Sequence, residues 1–188
     1  GETITEDSTE ANGTSSGAIY EWSSLSEPVE LTVSLSFISE ARAEEHLAEE
    51  SGATFEEERA ENRAAWAEIF DRIRVRGGSA ESRTNFFTAL YNTYRMPTRL
   101  DENGEYRGLD GNIHSVDGRY FTDLSLWDTY RTLHPWYILF DHAAQRDVLE
   151  SLIRMGEDGG YIPRWPAGLS YTGGMEGESA AILFAESA

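Results

Sequence analysis

A change of period constrains this chain more than any other feature. From Val29 to Phe37 apolar residues fall at every second position (Val29, Leu31, Val33, Leu35, Phe37), and from Ser39 onward they recur at three- and four-residue spacing. Alternation marks a half-buried strand, and the longer spacing marks an amphipathic helix. A chain that begins one way and continues the other is α+β, and here mainly α. Residues Ile19 to Trp22 are the candidate for a neighbouring strand. Two strands alone do not make a stable sheet, so this part reads as the end of a larger β region.

The helical part divides cleanly. Ala41 to Glu50 reads as a short acidic helix, broken at Gly52. Thr54 with Glu57 makes a capping-box start for a helix to about Ile73, whose buried stripe is Trp66, Ile69, Phe70 and Ile73. Gly77-Gly78 ends it, and Ser79 caps a further helix with Phe87, Leu90, Tyr91 and Tyr94 on one side, stopped by Pro97. Residues 97 to 123 read as a long polar loop, and a loop of that length is functional or disordered; Tyr106, Tyr120 and Phe121 favour the ordered option. Helices follow over about 125 to 140 and 143 to 156, separated near Asp141. A Gly- and Trp-rich turn runs from Gly159 to Gly177, and a last helix begins near Glu178 and is still running at Ala188. Residues 1 to 17 are too polar to bury much area and are expected to form a loop or a frayed end. Both ends therefore read as cut from a longer protein.

At 188 residues and 39% apolar content the chain can build a real core, of one domain or parts of two. It carries 34 acidic and 15 basic residues, a formal charge of −19, and every basic residue is Arg. Nucleic acid and anionic membranes need a basic face, so neither is expected as a partner. A solvated acidic surface explains the charge better than an acidic functional patch. Without Cys there is no disulfide, thiolate metal site or cysteine nucleophile. No apolar run approaches the length of a membrane span, and Gly1 to Asn12 has no hydrophobic signal core. A secreted or periplasmic protein, its signal segment lying outside this chain, is expected, with a cytoplasmic one left open.

The chemistry concentrates in Ser125-Leu126-Trp127-Asp128-Thr129-Tyr130-Arg131-Thr132-Leu133-His134-Pro135, where a ring, a carboxylate, a guanidinium and an imidazole share one short apolar segment. Asp128 has two readings. It completes a capping box with Ser125, satisfying free helix amides, or it holds sugar hydroxyls, a role a helix start favours by orienting and stabilising a carboxylate. Trp127 and Trp165 are core aromatics or platforms for the apolar face of a pyranose. Arg164, between Pro163 and Trp165, sits in a turn that can aim its fork at hydroxyls or at Asp128, with a surface ion pair as the plain alternative.

His134 lies on an apolar face and reads as a hydrogen-bonded structural histidine rather than a general base. His114 falls in the polar loop, His46 and His142 are expected to face solvent, and no pair has zinc-site spacing. The loop acids Asp101, Asp110, Asp117 and Asp123 have the chemistry to ligate calcium but not the spacing of an EF-hand loop. No glycine cluster combines with Lys as a phosphate loop requires, and no Gly-x-Ser-x-Gly elbow occurs.

The ordered set Phe87-Thr88-Ala89-Leu90-Tyr91, Tyr106-Arg107-Gly108-Leu109-Asp110-Gly111, Ser125 to Pro135 and Pro163-Arg164-Trp165 resembles glycoside hydrolase family 92, a family of exo-acting α-mannosidases. The resemblance implies an N-terminal β-sandwich, linker helices and an (α/α)6 toroid: residues 1–39 as the last strands of the sandwich, 40–78 as the linker, and 79–188 as the first helices of the toroid. It implies an inverting mechanism on terminal α-linked, expected α-1,2, mannose, with calcium as cofactor and an oligosaccharide or glycoprotein glycan as partner. The family's acid and base are expected beyond Ala188, so no catalytic residue is assigned here, and no metal ligand either. What the resemblance does place here is part of the mannose pocket: Asp128 and Arg164 as hydroxyl ligands, Trp127 and Trp165 as its wall. The family's Gly-rich segment reads Gly-Cys-Met-Ile-Gly, followed by a polar or aromatic residue and His. Here it is Gly173-Gly174-Met175-Glu176-Gly177-Glu178-Ser179, which puts sugar and linkage in question. Another (α/α)6 glycosidase such as a glucosidase, or a non-catalytic carbohydrate-binding remnant, stays open.

Overall fold

The computed structural model describes residues 17, 19–22, 24, 26, 28–50 and 52–188. The frayed end expected at residues 1–17 lies outside these, Gly17 excepted. The chain divides into two units, Gly1–Leu31 and Thr32–Ala188. Described residues of the first form no helix or strand, and Tyr20 and Trp22 stack with centroids 6.1 Å apart.

The strand expected from Val29 to Phe37 is not formed. The segment carries no ladder, and Leu31 and Leu35 are 75% and 76% exposed. Alternating residues become a strand only where a second strand takes up their N–H and C=O groups, and among the described residues none does. What holds the end of this segment is side-chain bonding. Glu102 accepts from the Ser36 hydroxyl (2.6 Å) and the Phe37 amide (2.7 Å), while Arg107 donates to the carbonyls of Phe37 (2.8 Å) and Ile38.

The helices that follow match the periodic reading. Helix α1 (Glu40–Glu50) is capped by Ser39, whose hydroxyl accepts the Arg42 amide at 3.2 Å. Helix α2 (Phe55–Asp71) has the full capping box: Glu57 N donates to Thr54 Oγ1 (3.4 Å) and Thr54 N to Glu57 Oε2 (2.8 Å). Its stripe of Trp66, Ile69 and Phe70 is half-buried. It meets α3 (Ala80–Thr93) through Trp66 against Tyr91 (4.4 Å) and Phe70 against Phe87 (5.8 Å). Aromatic stripes at helical spacing thus pack on each other, as ring pairs with edge and tilted geometry do.

Residues 97–123 depart from the loop expectation, because they hold four short strands. Strands β1 (Thr98–Arg99) and β4 (Phe121–Thr122) pair antiparallel, as do β2 (Glu105–Arg107) and β3 (Ile113–Ser115). Ladders of two or three residues are too short to show a period in sequence. The segment's aromatics do order it: Tyr106 and Tyr120 are buried and stack at 3.9 Å.

The helix expected over 125–140 is two, α4 (Leu126–Thr129) and α5 (Leu133–Phe140). Pro135 explains the break. It has no N–H for the Arg131 carbonyl and its ring would strike that carbonyl, so a helix begun at Leu126 cannot continue, whereas the first turn of a new helix tolerates it. Asp141 then caps α6 (His142–Gly159), accepting the Ala144 amide at 3.1 Å, and Gly160 at φ 81° closes it in the left-handed conformation glycine favours. The turn after it holds the hairpin β5 (Pro166–Ala167) and β6 (Ser170–Tyr171), followed by α7 (Ser179–Ser187).

Helix α6 organises the core. Ala144, Val148, Ser151, Leu152 and Met155 are buried on it at helical spacing, and Val148, Leu152 and Met155 pack with Leu100, Tyr106, Tyr120, Phe121, Leu124, Leu126 and Leu183. Ser151 Oγ accepts the Phe121 amide at 2.9 Å, tying β4 to this helix. Buried Asp147 is matched by Arg119 (2.6 Å) and Arg146 (2.9 Å). The fold is mainly helical with a few short strands. No described helix is long and apolar enough to cross a membrane.

Candidate functional site

Two elements carry the residues singled out from sequence: α4 bears Trp127 and Asp128, and the turn before β5 bears Arg164 and Trp165. Their relation is fixed by the segment that leads into α4. Thr122 Oγ1 donates to the Gly168 carbonyl (2.7 Å), Gly168 N to Asp123 Oδ1 (3.0 Å) and Leu124 N to the Pro166 carbonyl (3.2 Å). The β5–β6 hairpin is thereby bolted to residues 122–124, directly ahead of Trp127.

Trp127 is 46% exposed, with the Arg131 guanidinium 4.7 Å from its ring centroid. Trp165 is half-buried, and its carbonyl accepts Thr172 N (3.3 Å) and Oγ1 (2.8 Å). The Gly-rich run connects the two rings. A Cβ at Gly174 would lie 4.0 Å from the Trp165 ring, and one at Gly177 3.6 Å from that of Trp127. Both indoles therefore line one stretch of backbone. At Gly177, with φ 90°, only glycine is at ease.

Asp128 does not form the capping box. The Ser125 side chain caps no amide; its hydroxyl instead donates to Asp128 Oδ2 at 2.6 Å, and the carboxylate is otherwise exposed. Asp128 and Arg164 are not paired. Arg164 Nε donates to the Tyr171 hydroxyl at 3.1 Å, a bond that raises its already high pKa. Tyr171 is the residue sequence reasoning missed here; the Gly168 turn signal, which folds residue 171 back beside the start of the hairpin, was the available clue.

His134 is structural, as expected. Buried without access to water, it bonds Gln145 and Thr129, each at 3.0 Å, and burial lowers its pKa. His142 is exposed and His46 half-buried. The loop acids are committed elsewhere, Asp117 excepted, which faces water. Asp101 binds Arg99 (2.6 Å) and the Tyr120 amide (2.8 Å), and Asp123 holds Gly168. Asp110 is held down to about 2 by His114 and Asn112. Among the described residues no group of three or more His, Asp or Glu side chains could hold a metal ion. The described side chains of this chain therefore do not fit a calcium ion.

Residues 42–188 match the family model described as the glycosyl hydrolase family 92 catalytic domain. The chain belongs to glycosyl hydrolase family 92. Solved structures agree. This family 92 chain is similar to the alpha-mannosidase BT3965 of Bacteroides thetaiotaomicron at 30% identity and TM-score 0.76, over 80% of this chain and 21% of that one. It is similar to the inverting mannosidase BT2199 of the same organism at 27% identity and TM-score 0.73, over 81% and 21%. A further match is BT3965 in complex with mannoimidazole, at 29% identity and TM-score 0.73, over 80% and 20%. The family 92 chain thus spans about a fifth of the length of these relatives. No curated protein matches it.

Proposed function

We propose that this chain is part of a longer exo-acting α-mannosidase and supplies one wall of its terminal-mannose pocket. The observation that carries the reading is the convergence of Trp127 and Trp165 on one Gly-rich run, in a chain of family 92. In this reading the indoles pack on the apolar face of the pyranose, while Asp128 accepts from sugar hydroxyls and the Arg164 guanidinium donates to them. Ser125 and Tyr171 orient these two charged groups by the bonds they already make.

Residues 1–39 are assigned to the end of a β-sandwich, 40–78 to linker helices and 79–188 to the opening helices of an (α/α)6 toroid. The reaction is inverting, on α-1,2-linked mannose of an oligosaccharide or glycoprotein glycan, met in a secreted or periplasmic setting. No carboxylate of this chain is assigned as acid or base. Both, and the calcium ligands, are attributed to the rest of a family-length protein; similarity to an inverting mannosidase of which the match covers only 21% supports this.

The test is a panel of aryl α-mannosides and α-glucosides with the full-length enzyme, followed by NMR of the first-formed anomer. Release of β-mannose, with α-glucosides untouched, is expected. Retained configuration or a preference for glucosides would overturn the reading.

A further inference from the structure

His134 is wholly inaccessible to solvent, yet both ring nitrogens are engaged. A continuous polar chain runs through it. Ser187 Oγ donates to the Leu183 carbonyl (2.8 Å) and accepts from Gln145 Nε2 (2.9 Å); Gln145 Oε1 lies 3.0 Å from His134 Nδ1; His134 Nε2 lies 3.0 Å from Thr129 Oγ1. Thr129 Oγ1 is also 3.0 Å from the Ser125 carbonyl oxygen. The chain joins α7, α6 and α5 to the short helix that bears Trp127 and Asp128.

The direction of each bond follows from one end. Because the Ser187 hydroxyl spends its only proton on Leu183, the Gln145 amide must present nitrogen to Ser187 and oxygen to His134. A carbonyl oxygen only accepts, so His134 Nδ1 must carry a proton. A buried imidazole with no acid beside it is held neutral, so Nε2 is bare and accepts. The Thr129 hydroxyl, 3.0 Å from both Nε2 and the Ser125 carbonyl oxygen, then shares its one proton between them. The Ser125 carbonyl is bonded besides by the amides of Asp128 and Thr129, each at 3.0 Å.

We propose that His134 is a positioning residue for the candidate pocket: fixed by Gln145 as the Nδ1–H tautomer, it holds the Thr129 hydroxyl and so sets the orientation of the turn presenting Trp127 and Asp128. This rests on the reading of those two residues as sugar ligands. A four-residue helix has one turn of its own hydrogen bonds to hold it, so its orientation comes from outside, and Thr129 is the side chain by which the buried network reaches it.

Two measurements test this. In the 188-residue chain, nitrogen-15 NMR of the imidazoles, with His134→Gln used for assignment, should show a protonated Nδ1 and a bare Nε2 near neutral pH; an Nε2–H tautomer overturns the proposal. In the full-length enzyme, Thr129→Val keeps the shape and removes the hydroxyl. It should raise KM for an aryl α-mannoside roughly tenfold with kcat changed less than about threefold, and Thr129→Ser should restore both. An active enzyme whose KM ignores Thr129→Val sinks the positioning role alone. A wild-type enzyme inert on α-mannosides sinks the sugar-binding reading and the role together. Should Thr129→Val fail to fold, the tautomer and the Thr129→Ser enzyme still decide, since the serine must match wild-type KM.

Discussion

At Asp128 a carboxylate in the first turn of a helix accepts from a side-chain hydroxyl rather than from the helix. That matters because the two roles open to it respond differently to substitution. As a sugar ligand, Asp128→Asn in the full-length enzyme should lower kcat/KM by about 10²-fold or more, roughly 3 kcal/mol of transition-state stabilisation, with little change in melting temperature. A lower melting temperature with unchanged kinetics would mark a structural group instead. His134 carries a prediction of its own in pH. Its pKa is lowered in the fold, chiefly by burial, so the unfolded chain binds the proton more readily. Stability is therefore full above the ordinary value of 6.5 and declines as pH falls below it. Asp110 adds the usual carboxylate case: its contribution is present above the ordinary 3.8 and is lost as pH falls towards about 2. Thermal unfolding from pH 7 to pH 5 should show the first effect, and His134→Gln should flatten it.

Among the elements, the helices were legible and the strands were not. The Thr54 and Glu57 capping box and the Ser79 and Asp141 caps are local, because each involves residues within three positions. The break between α4 and α5 was not read from sequence, because the apolar run across 125–140 concealed the stop at Pro135. Strands β1 to β4 escaped because their ladders are two or three residues long, and the β1–β4 pair is held from far along the chain, as where Ser151 accepts the Phe121 amide. The β2–β3 hairpin offers a sharp test. A Cβ at Gly108 would meet Asp158 Oδ2 at 2.7 Å, Asp110 Oδ1 at 2.8 Å and His114 Cδ2 at 2.8 Å. Gly108→Ala should therefore destabilise by about 1–3 kcal/mol through crowding, and denaturant unfolding would register it.

At the scale of the whole molecule, the core depends on α6. Leu152 is wholly buried within the main cluster, so Leu152→Ala should cost about 2–5 kcal/mol, read as a lower denaturation midpoint. Leu139, Phe140, Ile153 and Ile182 remain exposed on helices that otherwise pack inward. The 188-residue chain is accordingly expected to self-associate with rising concentration in light scattering. It is also expected to hydrolyse no aryl α-mannoside, since no catalytic carboxylate is assigned to it; turnover by the purified chain would refute that assignment.

Sequence by itself determined what depends on neighbours along the chain: the change to helical spacing, the caps at Thr54 and Ser79, and the order of motifs that marks the family. Spacing within a turn of helix fixes which side chains can meet, so these features need no distant partner. Tertiary structure alone decided the rest. The alternation at Val29 to Phe37 found no second strand among the described residues, Arg164 turned to Tyr171 rather than Asp128, and Trp127 and Trp165 were brought to one Gly-rich run. The strand and the meeting of the two indoles depend on partners many residues away, brought together by burial of a shared core that no local pattern encodes, whereas the Arg164–Tyr171 bond, seven residues apart, needs only the hairpin.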